Sequence, residues 1–172
     1  MNTAPPLLAT KLFVPRPRRT LIPRARLNER LAATLAAPVT LVAAPAGFGK
    51  TTAVSAWAAT LDRPVAWLAL DEADNDAPRF LRYLAAALQR IDPTVGRDLT
   101  AASGSGDALV AALINDVAAA PADFVLVLDD YHVIEQPAVH AAMQAFVTHQ
   151  PPPGLLHHSD RGSQYASREY QA

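Results

Sequence analysis

Val39-Thr40-Leu41-Val42-Ala43-Ala44-Pro45-Ala46-Gly47-Phe48-Gly49-Lys50-Thr51-Thr52 decides the reading of this chain. Val39–Ala43 is an apolar run of β type. The segment from Ala44 to Thr51 has the spacing of a phosphate-binding P-loop, with Ala44 where the motif's first glycine would stand. Glycines at 47 and 49 let the backbone curl so that successive N–H groups converge on phosphate oxygens. A helix starting near Lys50 would turn its positive end toward the same oxygens. The Lys50 ammonium is expected at the β- and γ-phosphates, and the Thr51 hydroxyl as a ligand of Mg²⁺. A glycine-lysine turn arises by chance in many sequences. Here a β-type run precedes it and an amphipathic helix follows, with Val54, Trp57, Ala58 and Leu61 at helical spacing. The expected ligand is ATP or ADP with Mg²⁺, held by residues 44–52.

Further along, Phe124-Val125-Leu126-Val127-Leu128 is the strongest strand signal, and its unbroken apolar character fits a central parallel strand buried on both faces. Asp129 follows at the strand's end, where a carboxylate can hold the water shell of a metal. Asp130 comes next, where a residue can polarise an attacking water, and is the catalytic candidate. In isolation the pair reads as a strand cap opening a turn; a P-loop upstream in the same α/β pattern favours the site.

The rest of the chain supplies the alternation. Leu27, Leu31 and Leu35 predict a helix from Arg26, stopped by Pro38. Val65–Leu70 reads as a buried strand and Asp71–Asp76 as an acidic loop. Asp76 is a candidate N-cap with Pro78 in the first turn, before a helix facing inward through Leu81, Leu84, Leu88 and Ile91. Residues 101–107 read as a loop and 108–119 as a helix. Pro137 opens a last helix with Val139, Met143, Phe146 and Val147 inward. Strands alternating with helices predict a layered α/β fold with a parallel sheet.

Residues 1–10 read as a frayed tail. Lys11, Arg16, Arg18, Arg19, Arg24, Arg26 and Arg30 stand against the single acid Glu29, and Pro15, Pro17 and Pro23 favour an extended path. This is either a solvated basic arm or a strap beside the nucleotide. With 172 residues, 51% apolar and 18% charged, the sequence suits one globular domain, and a net charge of −1 gives no overall pull toward nucleic acid or membrane. The absence of cysteine excludes disulfides and thiolate metal sites. No apolar run is long enough to span a bilayer and the N-terminus does not read as a signal peptide, so the expected location is cytoplasmic.

The arm motifs Lys11-Leu12-Phe13-Val14-Pro15 and Leu21-Ile22-Pro23-Arg24-Ala25-Arg26-Leu27, the loop 42–52, Trp67-Leu68-Ala69-Leu70-Asp71 and Asp129-Asp130-Tyr131-His132 together resemble the N-terminal ATPase domain of MalT-like, LuxR-type transcriptional activators. These belong to the STAND signal-transduction ATPases. The likeness runs over about residues 8–153. It implies a P-loop NTPase three-layer sandwich with a parallel sheet, acting as an ATP/ADP switch that self-associates when ATP and inducer are bound. It also implies that Arg24 approaches the nucleotide. Asp130, where faster relatives carry glutamate, implies slow hydrolysis. Such activators continue with a strand bearing a sensor arginine, a winged helix, a helical-repeat sensor and a DNA-binding helix-turn-helix. None of these is in this sequence, which therefore reads as a truncated domain.

Gly154-Leu155-Leu156-His157-His158-Ser159-Asp160-Arg161-Gly162-Ser163-Gln164-Tyr165 resembles a short piece of the DDE integrase core of insertion-sequence transposases, with Asp160 on that family's second catalytic acid. The first acid and the final glutamate are missing, so no transposase activity is expected. His157, His158 and Asp160 alone do not supply a metal's ligand shell. The two resemblances side by side imply a junction between regulator sequence and a mobile-element remnant. Genomic sequence downstream with neither would refute that. The expected division is a basic Pro-rich arm over 1–25, an incomplete NTPase core over 26–150, and a Pro-rich junction and tail over 151–172.

The resemblance also implies a sheet order in which the loop-bearing strand and the strand ending at Asp129 flank a later strand. Leu155–His158 is the candidate for that slot. Four readings follow: a nucleotide-binding fragment of a regulator, an interaction fragment that docks onto a full-length relative, a product of gene disruption without function, or a transposase remnant without activity.

Overall fold

The computed structural model describes residues 6–16, 25–37, 39–97, 106–120 and 123–149, and the strand at 155–159 through its backbone. Among these residues the chain is an α/β fold around one four-stranded parallel sheet. Its strands are β1 (Val39–Ala43), β2 (Val65–Ala69), β3 (Val125–Asp129) and β4 (Leu155–Ser159), in the order β1-β4-β3-β2. The helices are α1 (Ala25–Ala33), α2 (Lys50–Ala58), α3 (Ala77–Leu88), α4 (Gly106–Ala118) and α5 (Pro137–Thr148).

Period-two alternation in the central strands builds two cores, because successive side chains point to opposite faces. On one face Trp67, Val125 and Val127 pack with Leu31 of α1 and with Val54 and Trp57 of α2. On the other, Ala66, Leu68, Leu126 and Leu128 pack with α3, α4 and α5 through Phe80, Leu84, Leu113, Val139, Met143 and Phe146. All of β3 is buried, as its unbroken apolar run requires. Travel across the sheet reverses after β2, and the connecting helices change face with it, as right-handed crossovers demand.

β4 lies parallel between β1 and β3, with Leu156 opposite both Thr40 and Val127. The segment expected to occupy that slot does so. Asp76 caps α3 by accepting from the Arg79 N–H at 2.9 Å, with Pro78 in the first turn, also as expected. Boundaries move by up to three residues elsewhere. α3 ends at Leu88, short of Ile91, and the helix read through Leu35 tightens after Ala33 into a 3-10 turn at Thr34–Ala36.

The acidic stretch after β2 is not an open loop. Glu72–Asn75 is a 3-10 helix closed by a capping box, in which Asp71 accepts from the Ala73 N–H and Asp74 from the Asp71 N–H. Nor do the described residues 6–12 continue a frayed tail into a solvated arm at Lys11. Ala9–Leu12 forms a 3-10 helix that docks on β2 and α3. Lys11 is buried there. Its ammonium pairs with Asp74 and with Asp71 (3.0 Å), and sits 4.5 Å from the centre of the Tyr83 ring. The fully buried Asp74 also accepts from Arg79 Nε at 3.1 Å, so its charge is compensated twice. Burial raises the pKa of Asp71, but the hydrogen bond and charge of Lys11 outweigh it and hold the carboxyl below its ordinary value.

Two outcomes are expected. Lys11→Met leaves the buried Asp74 with Arg79 as its one remaining counter-charge among the ion pairs described and should cost about 2 kcal/mol in urea unfolding; a loss below about 1 kcal/mol would show that Arg79 alone compensates the carboxylate. Leu156→Pro removes a backbone donor from a strand flanked on both sides and should cost about 3 kcal/mol. An unchanged midpoint at equal m-value would show that β4 contributes nothing to the sheet.

Candidate functional site

In open parallel sheets ligands bind beyond the carboxyl ends of the strands, where the connections part to opposite faces. Both sequence motifs lie at that end. The loop 44–49 leaves β1, Asp129 ends β3 and Asp130 follows it.

Both glycines of the loop take up the left-handed backbone, and the Phe48 N–H donates back to the Pro45 carbonyl at 3.3 Å. Gly47 and Gly49 have φ of 81° and 76°, the left-handed region where a β-carbon is strained. Nothing lies within 4 Å of where that β-carbon would stand at either glycine, so dihedral freedom, and not crowding, calls for glycine there. Gly49 is the N-cap of α2, whose first helical bond runs from the Ala53 N–H to the Gly49 carbonyl at 2.8 Å. Helix geometry leaves the N–H groups of the first turn without an acceptor inside the helix, and this end faces the loop. Val54, Ser55, Trp57 and Ala58 bury the opposite side of α2 and fix its direction.

Lys50 is buried to 7% exposure, and its ammonium donates to the carbonyls of Ala44 (2.7 Å) and Pro45 (3.1 Å). The loop's own backbone thus solvates the cation. Thr51 Oγ1 donates to Asp129 Oδ1 at 3.1 Å, joining the two motifs across a sequence separation of 78. Asp129 is 4% exposed. Thr52 and Ala44 are half-buried; Pro45, Ala46 and Gly47 are exposed, and Phe48 stands out at 64%. Asp130 is half-buried with φ 59°, the one left-handed non-glycine among the described residues, and its Oδ1 is 3.9 Å from His132 Nδ1. Arg24 and Asp160 lie outside the described residues. Among those described, no three His, Cys, Asp or Glu side chains cluster to hold a metal, and no helix is long and apolar enough to cross a membrane.

Residues that sequence reading passed over support this edge. Tyr131, fully buried, pairs its hydroxyl with His140 Nδ1 of α5 at 3.0 Å. Asn75 joins the 3-10 turn after β2 to the segment 133–136. The Asp71-x-x-Asp74 spacing carried a capping-box signal for that turn; Lys11 and Tyr131 stood inside resembling motifs without a role of their own, and nothing in the sequence pattern pointed to His140.

No family model matches the chain. It is homologous to transcriptional regulators over 84% of its length. It is 37% identical over 150 residues to the HTH-type transcriptional regulator MalT of Cronobacter sakazakii, covering 16% of that protein. It is 36% identical over 153 residues to the regulator of the same name from Klebsiella pneumoniae, with the same coverage of each chain. The chain therefore spans about one sixth of the length of these relatives.

Burial pushes the pKa of His140 below its ordinary 6.5, against a hydrogen bond with the Ile134 backbone that pulls it up. A depressed histidine is neutral in the fold, so its contribution is present above about pH 6.5 and is lost as the pH falls through the folded value. Melting temperature should therefore drop between pH 7.5 and 5.5, and drop less in His140→Gln. Equal drops in the two proteins would remove His140 from the account.

Proposed function

We propose that this chain is the nucleotide-binding module of a MalT-like transcriptional regulator, built as a P-loop NTPase three-layer sandwich that binds ATP or ADP with Mg²⁺. The observation that carries the reading is the 3.1 Å contact between Thr51 and Asp129, which brings a hydroxyl and a carboxylate together beside a glycine-bearing helix N-terminus. A hydroxyl and an acid held side by side are the donors a hard cation takes. The homology to regulators supports the same reading independently.

In this reading the backbone of 44–49, the first turn of α2 and Lys50 hold the phosphates, with Thr52 at their margin. Thr51 and Asp129 hold Mg²⁺, which supplies charge neutralisation at the phosphates. Lys50 exchanges its carbonyl acceptors for phosphate oxygens, and Asp130 orients water. Arg24 approaches the nucleotide from the arm. A single aspartate in the water-orienting role fits a slow switch, and the module's self-association with a full-length relative is part of the same proposal. No DNA contact is assigned to this chain.

Titration of the purified protein with fluorescent ADP and ATP in Mg²⁺ tests the proposal. Saturable binding is expected, weakened at least tenfold by Lys50→Ala, which corresponds to about 1.4 kcal/mol. A folded wild type that binds neither nucleotide would overturn the reading.

A further inference from the structure

Asn75 lies on neither motif, yet its side chain makes four hydrogen bonds. Its Nδ2 donates to the carbonyls of Glu72 (3.0 Å) and Val133 (2.8 Å), and its Oδ1 accepts from the N–H groups of Glu135 (2.7 Å) and Gln136 (3.0 Å). Both donors and both lone pairs of the amide are used. One bond stays within its own turn; three cross to the segment leaving β3.

That segment begins where the Asp130 turn closes. The Val133 N–H donates to the Asp130 carbonyl and the Ile134 N–H to the Tyr131 carbonyl, each at 3.1 Å. Asp130 itself is held at φ 59°. A left-handed residue other than glycine persists only where its surroundings fix it. Asn75 is placed to do so, because its own turn is anchored from below. The buried Asp74 takes the Asp71 N–H, Arg79 and Lys11. The side chain also needs an amide. Aspartate of the same shape would face two carbonyls with no protons to give, and leucine would meet none of the four partners.

We propose that Asn75 is the positioning residue for the Asp129–Asp130 turn, setting the direction in which the two carboxylates face a nucleotide-bound Mg²⁺. The claim rests on the nucleotide reading above. A merely structural role would instead lower stability everywhere alike.

The experiment uses the full chain as wild type, Asn75→Ala, the isosteric Asn75→Asp, and Leu113→Ala as a control weakened in the apolar core of α4 without loss of any Asn75 hydrogen bond. Hydrogen exchange is followed without nucleotide, and ADP affinity is measured in EDTA and in Mg²⁺. In Asn75→Ala, exchange over 130–136 should quicken at least tenfold while 39–58 keeps its wild-type rate. Affinity in EDTA should stay within about twofold of wild type, and the gain on adding Mg²⁺ should fall at least fivefold. Leu113→Ala should keep the full gain. If Asn75→Ala does not fold, Asn75→Asp is held to the same numbers. Wild-type exchange over 130–136, an unchanged Mg²⁺ gain, or an equal fall in Leu113→Ala would each overturn the proposal. A wild type that binds no ADP in either medium overturns the nucleotide reading and the functional claim with it, and the exchange measurement then judges the positioning alone.

Discussion

Two strands separated by a third cannot hydrogen-bond to each other, and the two halves of the candidate site hang from such a pair. β1 carries the glycine loop and β3 carries Asp129; the backbone of β4 lies between them, in register with both. Strand spacing in a sheet is about 4.8 Å per step. A side-chain hydrogen bond reaching from Thr51 to Asp129 therefore presupposes that the slot is filled by one strand, with no room for a second. The 3.1 Å contact is a local measure of that global constraint.

The remaining polar contacts work in the same direction from outside the sheet. Three short connections surround the carboxyl end of β3: the 3-10 turn after β2, the 3-10 turn at Tyr131–Val133, and the start of α5. Asn75 ties the first to the second and third, and Tyr131 ties the second to His140 of α5. The first is then fixed to the chain's beginning by Lys11 and Asp74. Ion pairs this buried add little to stability over an apolar replacement, since desolvation offsets the attraction. What they add is a single geometry, because a buried carboxylate accepts only the arrangement that satisfies it.

Much of this was legible in residue order, for a physical reason. Helix and strand periods, the Asp76-Pro78 cap and the glycine spacing are local signals, and each appears in the structure within a turn of where it was read. The buried run before Asp129 marked a central strand because only such a strand can be apolar on every residue. The Lys11–Asp74 pair was not legible. A lysine among arginines and prolines has the same local signature whether solvated or buried, and its partner lies 63 residues away. Asn75 was equally hidden, because an asparagine closing an acidic turn ordinarily bonds within the turn, and three of its four bonds here are distant. The pairing Thr51–Asp129 stood between these cases. Each residue was marked by its own motif, but their contact follows from strand order, which local pattern does not encode.

Asp130 shows how conformation and chemistry can be separated at one position. A turn that required only a left-handed residue after β3 would be served with less strain by glycine, which adopts φ near +60° without penalty. Aspartate tolerates that region better than most residues but still at a cost of about 1 kcal/mol. The chain places glycine at 47 and 49, where the loop needs shape and no side chain, and a carboxylate at 130, where the dihedral is of the same kind. The difference between these choices is the side chain itself. At Asp130 it stands half-exposed next to the buried Asp129, at the carboxyl end of β3. Strain accepted for a carboxylate at that place favours a role in the chemistry of the site over a role in turning the chain.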